Sequence, residues 1–156
     1  ILSPTYLTVL GLAGFIYFIR HKSYTFAIVT AFSLGTGYLS TFIMKNLVMR
    51  LRPENAFIFQ SGYSFPSGHA VAATIFFTLL IYFIVIKIKS LVLREVLIVV
   101  CVILSLLVSF SRVYLGVHWM SDVFAGIGLG LFCTTFIILL IKYIRLIIST
   151  IKSRRE

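Results

Sequence analysis

In this chain of 156 residues, 60% are hydrophobic and only 12% charged, and the mean hydropathy is +1.10, far from the average of soluble domains. It reads as an all-α integral membrane protein: residues 1–156 form one membrane-embedded domain with room for five or six helices of about 20 residues each and little else. The net charge of +10 comes from basic residues in short groups between apolar runs, with no basic stripe, so membrane orientation accounts for it and nucleic-acid binding does not.

Five transmembrane helices are predicted, at 5–19, 24–44, 68–86, 91–110 and 120–141. The first is short for a full crossing; Pro4 suits a helix start, and Gly11 and Gly14 offer small faces for close packing. The first residue is Ile and no signal-peptide pattern is visible, so a preceding segment is expected.

The second helix runs into Lys45-x6-Arg52-Pro53. This heptad spacing places both cations on one face if the helix continues to Pro53, where both would reach one anion. Arg brings a planar fork of donors suited to phosphate oxygens and Lys a compact charge. Taken alone, Lys45, Arg50 and Arg52 fit better as snorkelling residues that mark the membrane edge. The connection from Lys45 to Pro66 is the only long one, and its Phe57-Ile58-Phe59 and Tyr63-Ser64-Phe65 groups suit a lid, a lipid-contacting rim or a plain interfacial anchor.

Pro66-Ser67-Gly68-His69 reads as the first turn of the third helix. Ser can cap, Gly lets backbone N–H groups approach a ligand, and helix N-termini attract phosphate. A histidine held there is placed to protonate a leaving oxygen, although a simple cap beside an interfacial His explains the tetrapeptide too. Cys101, in the fourth helix, and Cys133, in the fifth, lack the paired spacing of zinc or redox motifs, and no disulfide is expected.

Ser111-Arg112 closes the fourth helix, and His118-x3-Asp122 opens the fifth. The i, i+4 spacing puts His118 and Asp122 on one helix face. The carboxylate can then accept a proton from one imidazole nitrogen and leave the other free to attack, the logic of a histidine nucleophile. A buried pair that only joins two helix ends is the alternative. Asp122 is one of just four acidic residues, so its place in the motif carries weight. Gly126-x3-Gly130 follows as a small-residue packing pattern.

Simple alternation of the spans gathers Arg20-His21-Lys22, Lys87, Lys89, Arg94, Lys142, Arg145, Lys152, Arg154 and Arg155 on one side, cytoplasmic by the positive-inside rule. Lys45, Arg50, Arg52, His69, Arg112 and His118 fall on the other, so the polar clusters face the periplasm or the extracellular side, as does Ile1.

The three clusters, in this order, resemble the type 2 phosphatidic acid phosphatase superfamily, whose signature is Lys-x6-Arg-Pro, Pro-Ser-Gly-His and Ser-Arg-x5-His-x3-Asp. The match covers residues 45 to 122 by motif and the flanking helices by architecture. Bacterial members have six transmembrane helices, which implies that the five spans here belong to a six-helix core whose first helix is missing. The resemblance makes His118 the nucleophile, Asp122 its support and His69 the general acid. Lys45, Arg52 and Arg112 would bind phosphate oxygens, with Ser67 and the backbone at Gly68 completing the cradle. No metal and no cofactor is implied, because the cations supply the charge stabilisation.

The implied partners are the bilayer and a lipid phosphate or pyrophosphate, with undecaprenyl pyrophosphate or phosphatidylglycerol phosphate favoured over phosphatidic acid and lipid A phosphates. The implied location is a bacterial plasma (inner) membrane. Two alternatives remain: a vanadium haloperoxidase-like oxidase, whose relatives are soluble helical proteins, and a non-catalytic lipid carrier, which would need neither His69 nor the His118–Asp122 pair.

Overall fold

Each predicted apolar run becomes a helix in the computed structural model, which describes residues 4–153. The helices are α1 (Pro4–Arg20), α2 (Tyr24–Val48), α3 (Gly68–Lys87), α4 (Leu91–Tyr114) and α5 (Met120–Ser153), and the described residues include no strand. Starts agree with the sequence to within a residue, whereas α2, α4 and α5 run past the predicted ends. The apolar pattern marks where hydrocarbon ends, but intrahelical hydrogen bonding continues through good helix formers such as Lys and Arg. Four helices, α2 to α5, are long and apolar enough to cross a bilayer. At 17 residues, α1 sits at the lower limit for a crossing. Arg154, Arg155 and Ile1, which the alternation of spans assigns to sides, lie outside the described residues.

Local chemistry fixes the ends near the clusters. The Ser67 hydroxyl caps α3 by accepting from the Ala70 N–H at 3.5 Å, and Ser90 caps α4 through the Leu93 N–H at 3.4 Å. At the end of α2, Met49 turns into the left-handed region at φ 49°, and its N–H closes on the Lys45 carbonyl.

The central helix is α3, which packs against all four others and buries Ala70, Val71, Ala73, Ile75, Phe77 and Leu79. By contrast α4 buries only Cys101 and Ser109 and turns residues such as Val92 and Leu107 outward. A broad exposed apolar surface of this kind is a liability in water and an ordinary lipid contact in a bilayer.

Small residues let α5 approach α3. A methyl group on Gly126 would lie 2.7 Å from the Ser67 carbonyl oxygen and 2.9 Å from Ala70 Cβ, and one on Gly130 would lie 2.8 Å from Thr74 Cβ. Gly11 serves α2 in the same way, meeting Leu34, but Gly14 has nothing within 4 Å, so the packing role expected for it is not found. Gly126→Val is therefore expected to destabilise the bundle by about 1–3 kcal/mol, the usual cost of overpacking. Gly128→Ala, at a position open on all sides, is the control. Thermal unfolding in detergent should show a lower midpoint for the first variant alone; equal midpoints would mean that the α3–α5 contact tolerates a side chain.

Candidate active site

The three clusters meet at one end of the bundle, where α2 and α4 finish and α3 and α5 begin. Lys45 lies in the last turn of α2. Arg52 is not on that helix: the left-handed Met49 ends it, so the shared helix face expected from the heptad spacing does not exist, and a loop brings the two cations together instead. Lys45 Nζ donates to the Tyr63 carbonyl at 2.5 Å, and Arg52 Nη2 reaches the same oxygen at 3.3 Å. Arg52 further donates to the carbonyls of Gly62 at 2.9 Å, Val117 at 2.8 Å and Ser61 at 3.2 Å. The 49–67 connection divides its work: Phe57 and Phe59 are exposed, whereas Gln60, Ser61, Gly62 and Tyr63 line a cavity.

That cavity, about 370 Å³, has Lys45, Arg52, Gly68, His69 and His118 in its walls. Ser67, Arg112 and Asp122 stand behind them. Ser67 is fully buried, its hydroxyl engaged in the α3 cap and its N–H donating to the Asp122 carbonyl at 3.0 Å. Arg112 donates to Gln60 Oε1 at 3.2 Å, and among the described residues its buried Nε has no partner.

His118 precedes α5, which starts at Met120, so the pair straddles the helix start and does not share a helix face as the spacing suggested. Asp122, in the first turn, folds back: Oδ2 accepts from the Trp119 N–H at 2.9 Å. Its distance to His118 Nδ1 is 3.6 Å, within ion-pair reach but too long for a hydrogen bond. On the other side of the ring, His118 Nε2 lies 3.3 Å from Arg52 Nη1. Guanidinium groups only donate, so this contact requires a bare Nε2 and leaves the proton on Nδ1, toward Asp122.

Burial pushes the His118 imidazole down to about 3, helped by the charges of Arg52, Lys45 and Arg112 and opposed by the Ser64 backbone. Arg52 is itself held below its ordinary value, first by burial and then by Arg112, with Asp122 pulling the other way. The ring of His118 is therefore neutral around pH 7, with a lone pair on Nε2 facing the cavity.

Sequence reasoning misses Arg50, which reads there only as a residue of the membrane edge. Arg50 Nη1 donates to Asp122 Oδ1 at 3.0 Å and to Ser121 Oγ at 2.6 Å, and the guanidinium lies 5.3 Å from the centre of the Trp119 ring. A signal exists: a carboxylate buried in an apolar chain needs a cationic partner, and the Lys45–Arg52 cluster holds a third cation. Nothing in the sequence distinguishes Gln60.

Fold and site together define a helical membrane protein with a cationic, histidine-bearing anion pocket at one end of its bundle. Residues 26–146 match the PAP2 superfamily, and the chain belongs to it. Over 99 residues it is 36% identical to phosphatidylglycerophosphatase B of Bacillus subtilis (strain 168), covering 62% of this chain and 49% of that protein. Over 119 residues it is 34% identical to an undecaprenyl-diphosphatase of Sulfolobus acidocaldarius, covering 71% of this chain and 51% of the relative. The chain thus spans about half the length of these curated relatives. Its fold is similar to the crystal structure of a transmembrane PAP2 type phosphatidylglycerolphosphate phosphatase from Bacillus subtilis, with a TM-score of 0.68 and 29% identity over 90% of this chain and 76% of that one.

The depressed value of His118 predicts a pH dependence of stability. The folded protein holds this ring neutral down to about 3, whereas the unfolded chain protonates it near 6.5, so acid favours unfolding. The stabilisation is complete above about pH 6.5 and is lost progressively as pH falls toward about 3. Between pH 7.5 and 4, the unfolding midpoint in detergent should drop more for the wild type than for His118→Asn; parallel curves would show that His118 is not held neutral.

Proposed function

We propose that the protein containing this chain removes a phosphoryl group from a membrane lipid phosphate or pyrophosphate through a phosphohistidine on His118. The observation that carries this reading is that Lys45, Arg52, His69 and His118 line one cavity whose remaining walls are largely apolar. Leu34, Phe42, Val71 and Ile75 extend it along α2 and α3. From Lys45 to Leu34 along α2 is roughly 16 Å at the helical rise, enough to take a charged headgroup at the membrane edge and part of an apolar tail below it. A water-soluble phosphate ester would have no use for that lower wall.

In the proposed reaction, His118 Nε2 attacks phosphorus and forms the N–P bond as the bond from phosphorus to the leaving oxygen breaks. His69 gives that oxygen its proton. Water then attacks the phosphohistidine, His69 takes the proton, and the N–P bond breaks to release phosphate and restore both rings. Positive charge grows on the His118 ring during attack, and Asp122 beside Nδ1 offsets it. Lys45 and Arg52 hold phosphate oxygens directly. Arg112 adds charge from behind Gln60 and completes the set, while the Ser67 cap presents the α3 N-terminus and the backbone at Gly68.

The names of the two relatives support a lipid substrate, and phosphatidylglycerol phosphate and undecaprenyl pyrophosphate are the first to test. The loop charges between helices support a site on the outer face of a bacterial plasma membrane, toward the periplasm or the extracellular side.

Two outcomes are expected from protein purified in detergent. His118→Ala should lower phosphate release from these lipids by more than about a thousandfold, comparable to removing a catalytic group elsewhere, with an unfolding midpoint close to the wild type. Substantial turnover by a folded His118→Ala protein would remove the nucleophile assignment. Turnover should also continue in excess chelator and be inhibited by vanadate, because Lys45, Arg52 and Arg112 supply the charge that stabilises a phosphate-like oxyanion. Activity abolished by chelator and restored by one divalent metal would overturn the metal-free mechanism.

A further inference from the structure

We infer that Arg50 is a positioning residue, holding the Asp122 carboxylate oriented so that Oδ2 faces the proton on His118 Nδ1 and a bare Nε2 lies toward the cavity. This role rests on the phosphatase reading of the site and adds a residue that the three-cluster signature does not contain.

Asp122 is a fully buried carboxylate whose two oxygens have different partners. Oδ1 accepts from Arg50 at 3.0 Å, and Oδ2 accepts from the Trp119 N–H at 2.9 Å and faces His118 Nδ1 at 3.6 Å. With one donor on each oxygen, rotation of the carboxylate breaks both contacts, so Oδ2 stays toward the imidazole. Arg50 is fixed in turn by Ser121 Oγ at 2.6 Å and by the face of Trp119. Arg50 is not part of the cavity wall.

Energetics give the direction of the effect. Arg50 is the only permanent cation within ion-pair distance of Asp122 among the described residues, since His118 is charged only when protonated. A buried carboxylate stripped of its partner is costly, and it relieves that cost by turning toward other donors. Without Arg50, Oδ1 has no cation to hold it, the carboxylate turns from the ring, and Oδ2 no longer offsets the positive charge that grows on His118 during attack. Arg50 also weakens the field of Asp122 at His118, and that opposing effect would make its removal beneficial. Orientation decides between the two, because a carboxylate turned away from the ring offers Nδ1 no partner. The other groups bearing on the ring are Arg52, Lys45, Arg112 and the Ser64 backbone.

Substitution isolates the side chain, because the backbone of Arg50 acts separately. Its carbonyl accepts from the Ser64 N–H at 2.8 Å and from Ser64 Oγ at 3.1 Å, and both bonds survive a change of side chain. The test compares Arg50→Gln and Arg50→Lys, alone and combined with Asp122→Asn, in phosphate release from phosphatidylglycerol phosphate in mixed micelles. It is paired with nitrogen NMR of the His118 ring in histidine-labelled protein. Arg50→Gln should lower kcat by about tenfold to a hundredfold, as loss of an orienting partner does at metal-bound histidines, with KM changed by less than about threefold. Arg50→Lys should recover part of the loss. In the Asp122→Asn background the Gln substitution should cost less than about threefold more, because the two residues act as a unit. The NMR should show the wild-type ring protonated on Nδ1 and, in Arg50→Gln, an altered Nδ1 signal as the contact with Asp122 is lost.

An unchanged or raised kcat, or an equal loss with and without Asp122, would overturn the inference. A wild-type protein that releases no phosphate would instead refute the phosphatase reading. The ring shifts then decide the role of Arg50 by themselves, a changed Nδ1 signal upholding it and an unchanged one rejecting it.

Discussion

One buried carboxylate organises the reactive end of this bundle. Apolar packing between helices is weakly directional, and lipid tails are as apolar as the leucines they touch, so packing alone does not fix which residues of neighbouring helix ends face each other. Asp122 does so with three acceptors. Its carbonyl takes the Ser67 N–H and ties the start of α5 to the start of α3, one oxygen takes Arg50 from the α2 side, and the other takes the N–H of Trp119. Gly126, one turn further along α5, removes the side chain that would hold Ser67 and Asp122 apart. The placement of His118 follows from this joint, because the residue sits just ahead of a helix start pinned on two sides.

The same region is electrostatically unbalanced. Lys45, Arg52 and Arg112 are partnered by neutral groups, the carbonyls of Ser61, Gly62, Tyr63 and Val117 and the amide oxygen of Gln60. Carbonyls satisfy the donors without cancelling the charge. A positive field therefore persists where water is scarce, and fields are stronger in such surroundings than in bulk solvent. Two consequences share this cause. An oxyanion is attracted, and a second positive charge on His118 is repelled, so the cations that suit phosphate binding also keep the imidazole lone pair available.

Much of this is legible in the sequence because it rests on short-range rules. The apolar runs locate all five helices, Ser67 announces the cap of α3, and the three clusters point to one site. What escapes depends on where helices stop. The seven-residue spacing of Lys45 and Arg52 suggests a shared helix face, but a period holds only while the helix does, and Met49 ends it. His118 and Asp122 mislead in the same way, their spacing fitting a helix that begins only at Met120. Arg50 escapes because an exposed anchor and a partner for a buried acid look identical until the fold shows which acid is buried. The charge rule that singles it out needs burial, a property of the packed structure. Gln60, in an irregular segment with no periodicity, has no rule to reveal it.

The up-and-down course of the chain explains why the site forms at this end. The C-termini of α2 and α4 and the N-termini of α3 and α5 lie side by side, and all but the start of α3 carry a charge suited to the dipole. Lys45 and Arg112 occupy last turns, where the exposed carbonyls of a helix favour cations, and Asp122 occupies a first turn, where the exposed N–H groups favour an anion. The free N–H groups of α3 add to the attraction for phosphate beside Gly68 and His69. Lys45, Arg112 and Asp122 thus favour their own helix ends and also belong to the site. In an antiparallel bundle such ends meet at the membrane face, where the proposed lipid substrate would bring its headgroup to the cations at the bilayer edge while its tail keeps apolar surroundings. Local helix stability and placement of the site consequently select the same residue types at the same positions, so the bundle can carry this cluster without sacrificing a helix end to it.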